Sequence, residues 1–146
     1  MVEKSKGGFL ISKIKQIQGR VFEKLLSKYG IDQFNGAQGR ILYVLWNEDT
    51  MPISALSEKT GLAKTTLTGM LDRLEASRFV QRALDPGDRR TVNILLTEEA
   101  KRMKSRYDEV STRMTSLFYE GFNDNEIIRF EKTLERILTN LTKKEQ

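Results

Sequence analysis

The sequence contains no cysteine and no histidine among its 146 residues. A chain without cysteine can form neither a disulfide framework nor a thiol redox switch. Zinc sites made of cysteine and histidine are excluded, as are Ser-His and Cys-His nucleophilic pairs. The sequence also shows no glycine-rich phosphate-binding loop and no clustered carboxylates. We therefore predict that the protein is not an enzyme and that it uses no metal and no cofactor.

Long apolar runs are also missing. The longest run, residues 41–46, is far shorter than a membrane span, and the apolar run at residues 9–11 is too short for the core of a signal peptide. These features predict a cytoplasmic protein with no membrane partner. The net charge of +5, from 25 basic and 20 acidic residues, favours a polyanionic partner without requiring one.

Residues 53–67 have the features of a helix-turn-helix. Gly61 can take the tight turn between two short helices, since glycine adopts a left-handed conformation without steric cost. Small Ser57 permits a close crossing of the helices, and Leu67 is expected to face inward.

The second of these helices, predicted over residues 64–77, is amphipathic. Its apolar residues recur with a period near 3.6, namely Leu67, Met70, Leu71 and Leu74. The opposite face carries short residues: Thr65, Thr68, Gly69 and Asp72. Such a face suits a helix that lies in a major groove about 12 Å wide. Gly69 costs about 1 kcal/mol relative to alanine, which limited clearance in a groove would explain. The alternative interpretation is an ordinary solvated face.

Residues 79–83 and 92–96 are predicted to be two strands joined by a turn. The turn sequence is Asp85-Pro86-Gly87-Asp88, in which Pro86 fixes φ and Gly87 can adopt positive φ. Arg89 and Arg90 follow on an exposed loop.

An arginine at the tip of a hairpin can enter a narrow minor groove, where the negative potential is concentrated. Asp88 could orient Arg90 for this role. A solvated charged loop is the alternative, but the position directly after a helix-turn-helix favours a functional loop.

Two segments together resemble the MarR/SlyA family of winged-helix regulators. They are Leu67-Thr68-Gly69-Met70-Leu71-Asp72-Arg73-Leu74-Glu75 and Asp85-Pro86-Gly87-Asp88-Arg89-Arg90, the latter followed by Leu96-Thr97. The resemblance implies a dimeric transcription factor in which Arg90 enters the minor groove and Asp88 braces it. Two departures are Ala63, where the family usually has a serine that caps the recognition helix, and Arg78, where a helix-ending glycine is typical.

The implied fold class is mainly α with a small β-hairpin wing (α+β), in a single protomer over residues 1–146. Residues 34–97 form the winged helix-turn-helix, while the N- and C-terminal helices, residues 9–30 and 98–142, form a helical dimerisation bundle. The implied partners are double-stranded DNA with a palindromic operator and a second copy of the chain, and the implied role is repression. The predicted DNA-binding residues are Lys64, Thr65, Thr66, Thr68, Gly69, Asp72, Arg73, Asp88, Arg89 and Arg90.

The predicted helices other than the two of the helix-turn-helix also carry apolar stripes. The first helix, residues 9–29, has Leu10, Ile14, Ile17, Val21 and Leu25 on one side and ends before Gly30. A second covers residues 35–47, a long helix begins after the capping residue Thr97, and the last helix begins with a cap made by Asn123 and Glu126. The stripes of the last two helices are Met103, Tyr107, Val110, Met114 and Leu117, then Ile127, Phe130, Leu134, Ile137 and Leu141. Spacing of this kind predicts a dimer interface, with an intramolecular core as the alternative.

The family resemblance also implies a small phenolic or anionic aromatic effector. The candidate ligand-binding residues are Lys13, Arg20 and Tyr107, since such a ligand needs a cation and aromatic walls. The alternative is that both cations are solvated and the tyrosine is packed. Another alternative for the whole chain is a winged-helix module for protein interaction or dimerisation that does not bind DNA.

Overall fold

A computed structural model describes residues 3–146 as a mainly helical chain with one small antiparallel sheet, the fold class predicted from the sequence. The chain divides into two compact units, the first ending at Ser111 and the second beginning at Thr112. In chain order the elements are α1 (Gly7–Lys28), α2 (Gly36–Asn47), β1 (Thr50–Pro52), α3 (Ile53–Thr60), α4 (Lys64–Ala76), β2 (Val80–Leu84), β3 (Val92–Leu96), α5 (Glu98–Arg102), α6 (Lys104–Phe118) and α7 (Asp124–Glu145).

The ends of the first two helices follow from local sequence. Gly30 has φ of 77° just beyond the end of α1, the conformation expected of a glycine that ends a helix. Asn35 caps α2 through a reciprocal pair of hydrogen bonds. Its side chain accepts from the Gln38 backbone amide at 2.8 Å, and the Gln38 side chain accepts from the Asn35 amide at 3.0 Å.

The sheet has the strand order β1-β3-β2, and both pairs are antiparallel. Thr50 pairs with Leu95 and Arg82 pairs with Ile94. The sequence did not predict β1, because three residues are too few to show an alternating pattern. This short strand joins the hairpin to the start of α3 and so connects the wing to the helix-turn-helix.

Apolar residues from the helices and the sheet form the core of the first unit. Those with almost no exposed surface are Leu26, Ile41, Leu42, Leu45, Leu56, Leu67, Leu71, Leu74, Val80, Ile94 and Val110. Next to them, Tyr107 packs against the rings of Phe34 and Trp46. A Cβ added at Gly39 would lie 2.7 Å from Tyr107 Cε2, so α2 needs glycine there to let this ring approach.

The prediction of a single long helix after Thr97 is wrong, because α5 ends at Arg102 and α6 begins at Lys104. The Thr97 hydroxyl caps α5 as expected, accepting from the Ala100 amide at 3.2 Å. The Ala100 carbonyl then accepts both the Trp46 indole N–H at 2.9 Å and the Met103 amide at 3.1 Å. Because Met103 bonds only three residues back, the helix tightens at that point. The hydrogen bond from Trp46 to the same carbonyl is a tertiary contact that helical periodicity does not reveal.

In the second unit, α7 begins with the predicted cap. The Asn123 side chain accepts from the Glu126 amide at 2.9 Å, and the Glu126 carboxylate accepts from the Asn123 amide at 3.0 Å. Within residues 3–146, no helix combines the length and the apolar content needed to cross a bilayer.

Candidate nucleic-acid interface

The turn between α3 and α4 is built as the sequence predicts. Gly61 has φ of 74°, in the left-handed region, and its amide donates to the Ser57 carbonyl at 2.9 Å. The Ser57 hydroxyl also donates to the Leu62 carbonyl at 2.6 Å. Ser57 is therefore more than a small residue at a helix crossing, since its hydroxyl closes the turn that sets the direction of α4.

The predicted polar face of α4 is exposed. Leu67, Leu71 and Leu74 are buried, while Met70 is half-buried at the edge of the apolar stripe. The exposed residues are Lys64, Thr65, Thr66, Thr68, Gly69, Asp72 and Arg73. Ala63 makes no side-chain hydrogen bond at the start of the helix, as expected from its departure from the family pattern.

Gly69 lies in this face with open space around it. No heavy atom would lie within 4 Å of a Cβ added at this position, apart from the helix's own local backbone and the adjacent residues. The packing of the protomer therefore does not require glycine here. A requirement for a small residue would have to come from outside the protomer.

The junction between α4 and the wing depends on Arg78. It adopts φ of 66°, so it takes the left-handed conformation in place of glycine, at a cost of about 1 kcal/mol. The Arg78 amide donates to the Glu75 carbonyl at 3.0 Å, and the Phe79 amide donates to the Leu74 carbonyl at 2.9 Å. This is the hydrogen-bond pattern of a glycine-type helix end, so Arg78 ends α4 as a glycine would.

This junction also moves the start of β2. The prediction placed the first strand at residues 79–83, but the strand is Val80–Leu84. The Phe79 amide is used to end α4, and its ring is buried edge-on against Phe34 with centroids 5.7 Å apart. Phe79 is therefore a core residue between helix and strand.

The tip of the hairpin is closed by Asp85. Its carboxylate accepts from the Gly87 amide at 2.9 Å and from the Asn93 side chain at 3.0 Å. Gly87 does not use the positive φ expected from the sequence. The bond from Asp85 closes the turn in a conformation open to other residues.

Arg90 projects from this tip and is braced by Asp88, the contact expected from the sequence. Asp88 Oδ1 accepts from the Arg90 backbone amide at 3.0 Å and from Arg90 Nε at 3.2 Å. The Arg90 side chain remains 92% exposed, and Arg89 beside it is also exposed. Two hydrogen bonds from Arg90 lower the pKa of the Asp88 carboxyl below its usual value. The bond from the backbone amide has the larger effect, and the bond from the side chain adds to it. The brace is therefore ionised at neutral pH, and it weakens only when acid protonates Asp88.

Sequence reasoning did not single out Arg82, whose guanidinium connects β2 to α4. Its Nη2 lies 2.8 Å from Asp72 Oδ1 and 3.3 Å from the Thr68 carbonyl oxygen, and its Nη1 lies 3.0 Å from Glu75 Oε1. Strand alternation could have indicated it, because position 82 shares a face with buried Val80. Any contact of Asp72 with DNA would compete with this ion pair.

The three candidate ligand-binding residues differ in their surroundings. Lys13 and Arg20 are exposed on α1. Tyr107 is buried among aromatic rings, and burial raises the pKa of its phenol to about 12. Besides Phe34 and Trp46, these rings include Phe22, with its centroid 5.8 Å away, and Tyr43, 6.4 Å away. The structure gives Tyr107 a packing role in the core.

Comparison with known proteins identifies a family whose model the sequence matches and a protein to which it is similar over most of its length. Residues 34–92 match the model of the MarR family. The uncharacterised HTH-type transcriptional regulator YsmB of Bacillus subtilis is 36% identical over 126 residues, which covers 83% of this chain and 81% of that protein.

Two solved structures with similar folds contain DNA. The overoxidized form of AbfR, a protein of Staphylococcus epidermidis, was solved bound to DNA; it is 26% identical with a TM-score of 0.71, over 93% of this chain and 92% of that one. A cysteine-to-serine mutant of Escherichia coli MarR was solved with operator DNA and has the same fold. It is 23% identical with a TM-score of 0.79, over 90% of this chain and 92% of that one.

Proposed function

Because the chain belongs to the MarR family of winged-helix transcriptional regulators, we propose that it is a sequence-specific repressor that binds a palindromic operator as a homodimer. Membership of a family of transcriptional regulators agrees with the prediction that the chain is not an enzyme. A cytoplasmic location is part of the same proposal.

One observation carries the proposal of DNA binding. A helix face of short polar residues and a braced, exposed arginine lie on two elements joined directly through the Arg78 junction. A face of this kind suits the major groove, and an arginine at a hairpin tip suits the adjacent minor groove. We propose that Thr65, Thr68 and Gly69 face base edges. Lys64, Arg73 and Arg89 supply phosphate contacts, which position the protein without reading sequence.

The homodimer is supported by apolar side chains that the protomer leaves uncovered. On α1, Leu10, Ile14 and Ile17 are each between 43% and 49% exposed. On α7, Leu138 and Leu141 are more than 60% exposed, and no residue of that helix is buried. Apolar side chains left exposed in a stripe along a helix mark an interface. We propose that a second copy covers both helices, so that two recognition helices reach half-sites about 34 Å apart.

Selection of bound duplexes from a random pool tests these points together. We expect recovered sequences with two-fold symmetry and half-sites separated by one helical turn, together with a dimer mass in solution at micromolar protein. Recovery of sequences without symmetry would contradict the operator model. Absence of salt-sensitive binding to any duplex would instead support a protein-interaction module.

Gly69 gives a prediction that separates folding from DNA binding. Replacing Gly69 with alanine should raise the free energy of unfolding by about 0.5–1 kcal/mol, because alanine is the better helix former and the site is open. The same change should weaken operator binding, because the added methyl group occupies the surface that faces the groove. Thermal unfolding and mobility-shift titration measure the two effects. A variant that is more stable and binds at full strength would show that the groove does not need glycine there.

The proposal extends to an effector, a small phenolic or anionic aromatic compound. Lys13 and Arg20 lie seven residues apart on α1, which places both exposed cations on the same side of the helix. We expect benzoate, used as a simple aromatic carboxylate, to weaken operator binding by the unaltered protein. The response should be lost when both residues are replaced by alanine. Equal operator affinity of the unaltered protein with and without benzoate would contradict an effector of this class. A response retained in the double variant would contradict a role for these residues.

A further inference from the structure

The Arg82 guanidinium contacts three hydrogen-bond acceptors of α4 at once, two carboxylates and one backbone carbonyl. Asp72 and Glu75 are three residues apart and Thr68 precedes Asp72 by four, so their acceptor groups follow one another along the helix. The guanidinium contacts all three at distances of 2.8 to 3.3 Å. A guanidinium can do this because it presents five N–H donors in a rigid plane. With its side chain only 23% exposed, Arg82 is largely enclosed by these partners, in contrast to Arg90 at the tip.

The position of Arg82 along the hairpin gives this contact a mechanical consequence. Strand residues rise by about 3.3 Å each, so the tip that begins at Asp85 lies about 10 Å beyond Arg82. At its other end the hairpin is attached to α4 through Arg78 and Phe79. The attachment near Phe79 and the ion pairs of Arg82 hold β2 against α4 at two separate points, which restricts rotation of the hairpin relative to the helix.

From this geometry we infer that Arg82 is a positioning residue that fixes the separation between the recognition helix and Arg90. The inference rests on the proposed function, and it assigns to Arg82 the alignment of a major-groove element with a minor-groove element. A duplex presents its two grooves at a fixed separation. A hairpin held in place meets both grooves without losing conformational freedom on binding, which is the advantage of preorganisation.

Arg82 has a second, electrostatic effect that must be separated from positioning. Without it, the carboxylates of Asp72 and Glu75 would lie uncompensated beside a surface proposed to meet phosphates. Loss of Arg82 could then weaken DNA binding by repulsion alone. Positioning and repulsion predict different DNA affinities for a variant in which both carboxylates are also neutralised.

The primary test is a double-mutant cycle with Arg82→Met and Arg90→Ala, measured by titration against the selected operator. We expect Arg82→Met to weaken binding about tenfold when Arg90 is present and by less than about twofold when Arg90 is already alanine, because there is then no arginine left to position. Equal losses in both backgrounds would overturn the inference, since they would show that Arg82 acts on DNA independently of Arg90.

The triple variant Arg82→Met, Asp72→Asn, Glu75→Gln separates positioning from charge. It removes the repulsion but does not restore the link, so it should still bind at least about fivefold more weakly than the unaltered chain. Full recovery of affinity would overturn the inference. Arg82→Lys retains the charge without the planar fork and should recover affinity only in part. If Arg82→Met does not fold, as judged by thermal unfolding, Arg82→Lys takes its place in the cycle with Arg90→Ala under the same criterion.

The same titrations distinguish failure of the inference from failure of the proposed function. If the unaltered chain binds no duplex, the proposed function fails and the inference fails with it. If the unaltered chain binds and Arg90→Ala weakens binding, while Arg82→Met has no effect or an independent one, only the positioning role of Arg82 is wrong.

Discussion

Replacing Arg90 with alanine should weaken operator binding by about 10- to 100-fold while leaving the fold intact. The Arg90 side chain is 92% exposed and its observed bonds are to its brace, Asp88, so its removal should cost little stability. In a narrow minor groove the same side chain would meet strong negative potential. Mobility-shift titration over a range of salt concentrations measures both the affinity and its salt dependence, and the slope of log K against log salt should fall by about 1.

Arg89→Ala is the matched control for this prediction. It removes the same charge from the adjacent exposed position, which has no aspartate brace in the structure. We expect this variant to weaken binding to all duplexes about equally, as the loss of a phosphate contact would, while Arg90→Ala should also reduce discrimination between operator and random duplex. Equal losses of discrimination in the two variants would contradict a specific role for Arg90. Unchanged affinity and salt slope in Arg90→Ala would contradict the minor-groove model itself.

Replacing Ile14 with glutamate should convert the homodimer to a monomer and remove high-affinity operator binding. Ile14 is 44% exposed in the protomer, so a charge there need not disturb the protomer core. In a symmetric interface the change would bury one unpaired carboxylate from each copy, each costing several kcal/mol. The dimer dissociation constant should therefore rise by on the order of a thousandfold or more. Analytical ultracentrifugation measures the mass, and operator titration measures the affinity that remains when half-sites are bound separately.

Ser12→Glu provides the control for this experiment. It adds the same charge to the same helix two residues earlier, on the opposite face from Ile14, where the residue is polar and exposed. This variant should remain dimeric and bind the operator at close to full strength. A dimeric Ile14→Glu protein, or equal dissociation in both variants, would show that the apolar stripe of α1 is not the interface.

The helix-turn-helix and the hairpin tip could be predicted from the sequence because their signals are local. The turn at Gly61, the buried stripe at Leu67, Leu71 and Leu74 and the exposed polar face opposite it each follow from the spacing of residues within one or two helical turns. The Asp88 and Arg90 pair is equally local, since two residues on one loop are close in any compact turn. Arg78 stands where the family pattern has a helix-ending glycine, and the structure shows that it takes the left-handed conformation.

The features that the sequence did not predict depend on partners far apart in the chain or on very short segments. The division between α5 and α6 involves Trp46, 54 residues before Ala100. Strand β1 is only three residues long and exists because β3 pairs with it. Arg82 was passed over because its partners lie on another element, and its importance depends on where the Arg78 junction directs the strand.

The sequence by itself determined the family, the fold class and the residues that face outward from α4 and from the hairpin tip. The family, and the fold class that it implies, followed from the resemblance of two segments. The outward-facing residues follow from periodicity and from the conformational preferences of individual residues, both of which act over a few positions. Only the tertiary structure decided that Arg82 fastens the hairpin to α4 and that Tyr107 belongs to an aromatic core. The physical reason is that hydrogen bonds and ring contacts depend on distances in space, which are established only when the chain folds and brings separate segments together.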